Sequence, residues 1–171
     1  ALTSIEVNQA NQNYYSENGI LFNKDKTTLM QYPLGKTDTE YTIPESVTDI
    51  ANGAFAVCGS LTKVTMGENV ANIGNITFFE CASLAEIVFT NSVTNIGDGA
   101  FYGCTSLVDV TIGENVLSIG NEAFDGCTSL AKLTISDNLE TIGYNAFNAC
   151  TSLTTVKLGE NVTSIDEGAF F

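Results

Sequence analysis

Residues 107–129 read LVDVTIGENVLSIGNEAFDGCTS. Residues 84–106 give the same wording as LAEIVFTNSVTNIGDGAFYGCTS, and residues 130–152 give it again as LAKLTISDNLETIGYNAFNACTS. The period is 23 residues, without insertion or deletion. Self-similarity at such a period is the signature of a stacked-repeat architecture, in which no unit can bury its own apolar side chains alone.

On either side of these, regular units begin at Asp38, Leu61, Leu84, Leu107, Leu130 and Leu153, the last running to Phe171. Positions within a unit are numbered from 1 to 23. Position 4 holds Tyr41, Val64, Ile87, Val110, Leu133 and Val156; position 6 holds Ile43, Met66, Phe89, Ile112, Ile135 and Leu158. Apolar residues two apart, with Thr or Val between them, predict a short strand with one buried face. Positions 10 and 13 (Val93 and Ile96, Val116 and Ile119) predict a second, shorter extended piece. The Ala-Phe pair at positions 17 and 18 sits in a stretch too short for a full helix, and a single helical or 3₁₀ turn is expected there.

Stacking units about 4.8 Å apart sets leucine over leucine and phenylalanine over phenylalanine. Phe55, Phe78, Phe101, Phe124, Phe147 and Phe170 form one such column. Gly74, Gly97, Gly120 and Gly143 share position 14, which implies either a left-handed backbone or a close approach of neighbouring chain. Ala51 and Asp166 stand at the same position, so the requirement is conditional.

The N-terminal residues depart from the rule. Leu2, Ile5 and Val7 reproduce the spacing of Leu107, Val110 and Ile112, and are expected to open a first unit, 1–37, enlarged relative to the regular units of 38–171. Within it, the apolar runs Ile20–Phe22 and Leu29–Tyr32 flank polar NKDKTT, which predicts a β-hairpin turning near Lys24–Thr27. The whole of 1–171 then reads as one repeat domain, with Phe170 and Phe171 leaving an apolar column open; a continuing chain or a neighbour is expected to cover that end.

Charge narrows the functional classes. The chain carries 20 acidic and 6 basic residues, all of the latter lysine, with no histidine. A nucleic-acid partner requires a basic footprint and an anionic membrane would repel this surface, so neither is expected. Nor is a membrane-inserted segment, since no apolar run approaches the roughly 20 residues of a span. Glu68, Glu114, Asp137 and Glu160 recur at one turn position and read as a solvated edge, and no calcium-loop motif is present. Cys58, Cys81, Cys104, Cys127 and Cys150 all occupy position 21. Their spacing is unlike a zinc pattern and histidine-dependent thiol catalysis is unavailable, so they read as small buried packing groups, although stacked neighbours come within disulfide range. No catalytic residue, metal ligand or cofactor is assigned.

The pattern LxxVxIxxxVxxIGxxAFxxCxS resembles the BspA-like class of bacterial leucine-rich repeats. The resemblance implies a right-handed solenoid of the β/α superhelix type, with a sheet of short parallel strands. It also implies a secreted or cell-surface protein whose relatives are associated with adhesion. In the general leucine-rich pattern position 9 is Asn; here Ser46 and Ser92 interrupt Asn69, Asn115, Asn138 and Asn161, which argues against a continuous buried asparagine ladder. The outward strand positions 3 and 5 form the expected partner-binding face, with Glu40, Lys63, Glu86, Asp109, Lys132 and Lys157 as its charges. A protein or glycan partner fits that face. The competing expectation is a stalk that merely displays other domains.

Overall fold

The computed structural model describes residues 1–171 and contains strands and turns but no helix. At the N-terminal end β1 (Tyr14–Glu17), β2 (Ile20–Asn23) and β3 (Thr28–Gln31) form an antiparallel meander. All regular units but the last then contribute one strand from positions 3–5, and every one contributes a strand from positions 12–13. The first series is β4 (Glu40–Thr42), β6 (Lys63–Thr65), β8 (Glu86–Val88), β10 (Asp109–Thr111) and β12 (Lys132–Thr134). The second is β5 (Asp49–Ile50), β7 (Asn72–Ile73), β9 (Asn95–Ile96), β11 (Ser118–Ile119), β13 (Thr141–Ile142) and β14 (Ser164–Ile165). Both series pair in parallel, each residue facing its counterpart 23 positions on, as in Tyr41 with Val64 and Ile50 with Ile73. The result is a leucine-rich-repeat solenoid with two parallel sheets, the second extended by the meander because Leu29 of β3 pairs with Ile50.

One apolar core of 41 buried residues runs from Ile20 to Ala169. Its spine is the phenylalanine column: from Phe55 to Phe170, successive rings lie 4.8–5.4 Å apart and within 18° of parallel. The column has a seventh member that the repeat count does not reveal. Tyr32, from the end of the hairpin, stacks on Phe55 at 5.1 Å and donates its hydroxyl to Asp38 at 2.8 Å, so the meander closes the spine with an aromatic that can satisfy its own polar atom. Burial of that ring and the hydrogen-bonded Asp38 carboxylate both push the Tyr32 hydroxyl well above its ordinary pKa.

The hairpin around Lys24–Thr27 forms as expected, with β1 as an additional strand. The expected strand at Leu2, Ile5 and Val7 does not. Leu2 is exposed, and Ile5 donates its N–H to the Gly19 carbonyl, so this segment lies along the β1–β2 turn and leaves the outer edge of β4 unpaired. The spacing is right, but Ile5 and Val7 lack the column of like residues on both sides that fixes the other strands.

The turn at positions 16–21 also differs from the expected helical turn. Alternate N–H groups are spent differently: Ala54, Ala56 and Cys58 bond three residues back, whereas Gly53, Phe55 and Val57 bond the carbonyls of Asn75, Thr77 and Phe79 in the next unit. A helix cannot propagate when every second donor is committed sideways. Left-handed residues at positions 16 and 20, such as Gly53 and Val57 with φ of 67° and 60°, complete the break.

Those corners, and not the glycine column, are where positive φ is required. The position-14 glycines answer to close approach. A Cβ on Gly74 would sit 2.6 Å from Asn52 Oδ1, and one on Gly120 would sit 2.6 Å from the Gly97 carbonyl carbon and 2.8 Å from Asp98 Oδ1. Part of the crowding is backbone, with Asn52 N 2.8 Å from the Gly74 position and Asp98 N 2.7 Å from that of Gly120, and part is a second ladder, at position 15. The side-chain oxygens of Asn52, Asn75, Asp98 and Asn121 accept the backbone N–H of Asn75, Asp98, Asn121 and Tyr144 at 2.8–3.0 Å. Each such oxygen fills the space a side chain would need in the next unit. At Asp166 the side-chain share of this crowding is missing, since the residue before it in the ladder is Tyr144, which has no such oxygen; Ala51 follows the meander, where the ladder has not begun. Gly120→Ala should therefore cost about 1–3 kcal/mol, whereas Gly59→Ala, which meets nothing within 4 Å, should cost little; paired urea titrations measure the contrast.

Candidate functional site

Strands β4, β6, β8, β10 and β12 turn positions 4 inward, with Val64, Ile87, Val110 and Leu133 buried and Tyr41 half-buried against the core. Positions 3 and 5 face out by the two-residue alternation of a strand. The register brings Glu40 opposite Lys63, Lys63 opposite Glu86, Glu86 opposite Asp109, and Asp109 opposite Lys132. Five of the six expected charges thus form a single file across the sheet. Beside them run Thr42, Thr65 and Val88, then Thr111 and Thr134.

Only one pair in the file closes. Lys63 Nζ lies 2.7 Å from Glu86 Oε1, and that hydrogen bond, with the nearby Glu40 charge, raises the Lys63 ammonium above its ordinary pKa. Glu40, Asp109 and Lys132 make no ion pair, and Asp109 stands beside Glu86, a like charge. An exposed sheet with like charges opposed gains nothing from them in folding.

Lys157 does not join the file. Residues 155–157 form no strand, and β12 ends the sheet. Their inward anchors are weak: Val156 is half-buried and Leu158 is 40% exposed, so the segment is not held in register. It stands off instead, leaving a cleft lined by Leu133, Ile135, Asp137 and Lys157.

The recurring asparagines of the neighbouring edge prove structural, while the acids beside them, Glu68, Glu114, Asp137 and Glu160, stay exposed. Asn69, Asn115, Asn138 and Asn161 donate their amides to the carbonyls of Glu45, Asn91, Glu114 and Asp137 at 2.6–2.9 Å, and the Ser92 hydroxyl takes the corresponding bond to Glu68. The position-9 ladder therefore exists, but on an exposed edge, and serine can serve in it because the acceptor lies one unit back. The five thiols are buried and free. Cys81, Cys104, Cys127 and Cys150 donate to the Phe carbonyls 26 residues back, at 3.0–3.2 Å. Each of these carbonyls also accepts the N–H three residues on, so the thiol is a second donor that ties one turn to the next, which is a structural role.

With two parallel sheets and a 23-residue register in place, the family profile is decisive: the BspA type leucine-rich repeat region matches residues 35–116 and 72–171, in six copies. The chain belongs to the BspA-type leucine-rich repeat family. Among solved structures it is similar to a leucine-rich cell-surface protein of Faecalibacterium prausnitzii, at 31% identity and a TM-score of 0.82, over 86% of this chain and 40% of that one. It is also similar to a leucine-rich repeat protein of Eubacterium ventriosum (28% identity, TM-score 0.76, 98% of this chain and 52% of that one). A third is the pneumococcal vaccine antigen PcpA (25% identity, TM-score 0.73, 95% and 45%). This BspA-type chain thus spans about half, or less, of the length of these three structures. No curated protein matches it.

Proposed function

We propose that this chain is an extracellular binding module of a bacterial surface protein, an adhesion segment that holds a protein or glycan partner on the outward face of β4 to β12. The single observation behind the reading is the charge file Glu40–Lys63–Glu86–Asp109–Lys132. It is rigidly spaced by the sheet, exposed, and mostly without internal partners. Charges held at fixed intervals and left unpaired can still form complementary contacts with a partner, where they govern orientation and association rate. The description of the Faecalibacterium relative as a cell-surface protein supports the location. The reading is one of binding without catalysis, since acids recur from unit to unit instead of converging at one irregular place.

Beads coated with the chain should adhere to cultured epithelial cells or mucin above the level of uncoated beads. The Lys63→Glu, Lys132→Glu double variant should reduce that adherence roughly fivefold or more while leaving the fold intact. If parent and variant adhere equally, the charge file takes no part. If neither adheres above background, the chain is a spacer.

A further inference from the structure

The regular array has one conspicuous departure on its surface, on the turn segments that lead from the second sheet to the next unit's first strand. Position 19 is otherwise small, polar or terminal: Ala56, Asp125, Asn148 and Phe171. Between the first two of these stand Phe79 and Tyr102. Their rings stack at 5.2 Å and 13° from parallel, half-buried and separate from the phenylalanine spine. With Ile76, Glu80, Gly99 and Glu122 they line a surface notch of about 250 Å³.

The backbone beneath the notch is costly. Six non-glycine residues occupy the left-handed corners at positions 16 and 20, namely Val57, Ile76, Glu80, Glu122, Asn145 and Ala149. Three of them line this one notch. The left-handed conformation costs a non-glycine residue roughly 1–2 kcal/mol, and a β-branched residue such as Ile76 (φ 49°) is a true outlier there. The backbone there serves the solenoid, each N–H bonding the next unit, but the side chains add little to the core: Ile76 is 47% exposed, and Glu80 and Glu122 are exposed and form no ion pair. Glycine takes the same conformation at five other corners, Gly53, Gly99, Gly103, Gly126 and Gly168. What sets this place apart from the corners of Val57, Asn145 and Ala149 is the aromatic pair beside it, with two carboxylates at its rim.

We propose that the notch of Ile76, Phe79, Glu80, Tyr102 and Glu122 is a docking point for a lysine- or arginine-bearing segment of a partner protein. The occupant follows from charge and shape. Two uncompensated carboxylates rim an aromatic pair, no lysine of this chain lines the notch, and the surrounding protein carries a formal net charge of −14. A guanidinium or ammonium group takes both carboxylates as partners and is attracted by the aromatic π-systems, while its methylene stem lies on Ile76. A neutral glycan would cover the same carboxylates without neutralising them, at a desolvation cost. This point is distinct from the strand-face charge file, and either can operate without the other.

The test is an amide-resolved NMR titration with a defined probe, a glycine–serine heptapeptide bearing one arginine and one lysine. The neutral counterpart, with citrulline and norleucine in their places, and a cello-oligosaccharide are run beside it. The basic peptide should shift residues 76–80, 99–103 and 122, and the neutral peptide should not. Glu80→Gly with Glu122→Gly, which restores the residue found at other corners, should weaken the peptide roughly fivefold to tenfold with no fall in Tm. Phe79→Ala with Tyr102→Ala should weaken it to a similar degree, and Lys63→Glu with Lys132→Glu should not weaken it. Three results would each overturn the proposal: shifts spread evenly over Glu68, Glu114 and Glu160; undiminished binding in both notch variants; or notch shifts with the oligosaccharide and none with the basic peptide. None of the three bears on the strand face, which the bead assay tests separately.

Discussion

Phe124→Ala is expected to lower the unfolding free energy by about 3–5 kcal/mol, the cost of a large cavity in a packed core. Phe124 is fully buried between Phe101 at 5.0 Å and Phe147 at 5.2 Å, so the variant also loses two stacked pairs. The same change at Phe170, which is 41% exposed and stacks on one neighbour, should cost far less, on the order of 1 kcal/mol. Because coupling in a solenoid runs only between adjacent units, the central variant should in addition broaden the urea transition, as the two halves lose contact. Equal losses at the two positions would contradict the view that the column acts as a continuous spine.

A second large effect is expected in alkali. Burial holds all five thiols above their ordinary pKa, to about 11 for Cys81 and about 12 for Cys58 and Cys150, with Cys104 and Cys127 also well raised. Below pH 9 the thiols are protonated in both states and their contribution is intact. Above it the unfolded chain ionises while the folded chain does not, so stability is lost as pH climbs toward the folded values. Each thiol costs about 1.4 kcal/mol per pH unit in that window, and five acting together about 7 kcal/mol per unit. Thermal melts under reductant should be nearly level from pH 7 to 8.5 and fall steeply by pH 10.5. Cys104→Ala with Cys127→Ala should flatten the fall, which separates it from general charge repulsion. A level profile to pH 10.5 would show that the thiols are not buried.

What could be read in the sequence was whatever repeats. Columns at positions 4, 6, 13, 18 and 21 declare two strands, an aromatic spine and a thiol file, because identical neighbours 23 residues apart leave a side chain only one environment. What repetition could not supply was how the backbone between columns spends its hydrogen bonds. Ala54 to Cys58 look like a helical turn until half of their N–H groups are seen to reach the next unit. The glycine exceptions at Ala51 and Asp166 had part of their answer one column away, in the asparagine and aspartate oxygens of position 15, and reading the two columns together would have found it. Ends were the least legible. Leu2 and Lys157 both have the right spacing but lack a well-buried neighbour to hold them, so pattern alone misplaced them. Of the candidate surfaces, the charge file was visible as a column, whereas Phe79 and Tyr102 were visible only as an exception to one.

A unit is held by its neighbours and not by itself, and any complete unit can replace any other in the stack. Removing residues 107–129 tests this most directly, since Ser106 then joins Leu130 in phase and β8 meets β12, with Glu86 facing Lys132. The shortened chain should give a dispersed NMR spectrum and a strand-rich circular dichroism spectrum, with a modestly lower Tm, while removing only residues 107–118 should abolish folding. If the in-phase deletion unfolds the chain, or the out-of-phase one does not, the stacking account is wrong.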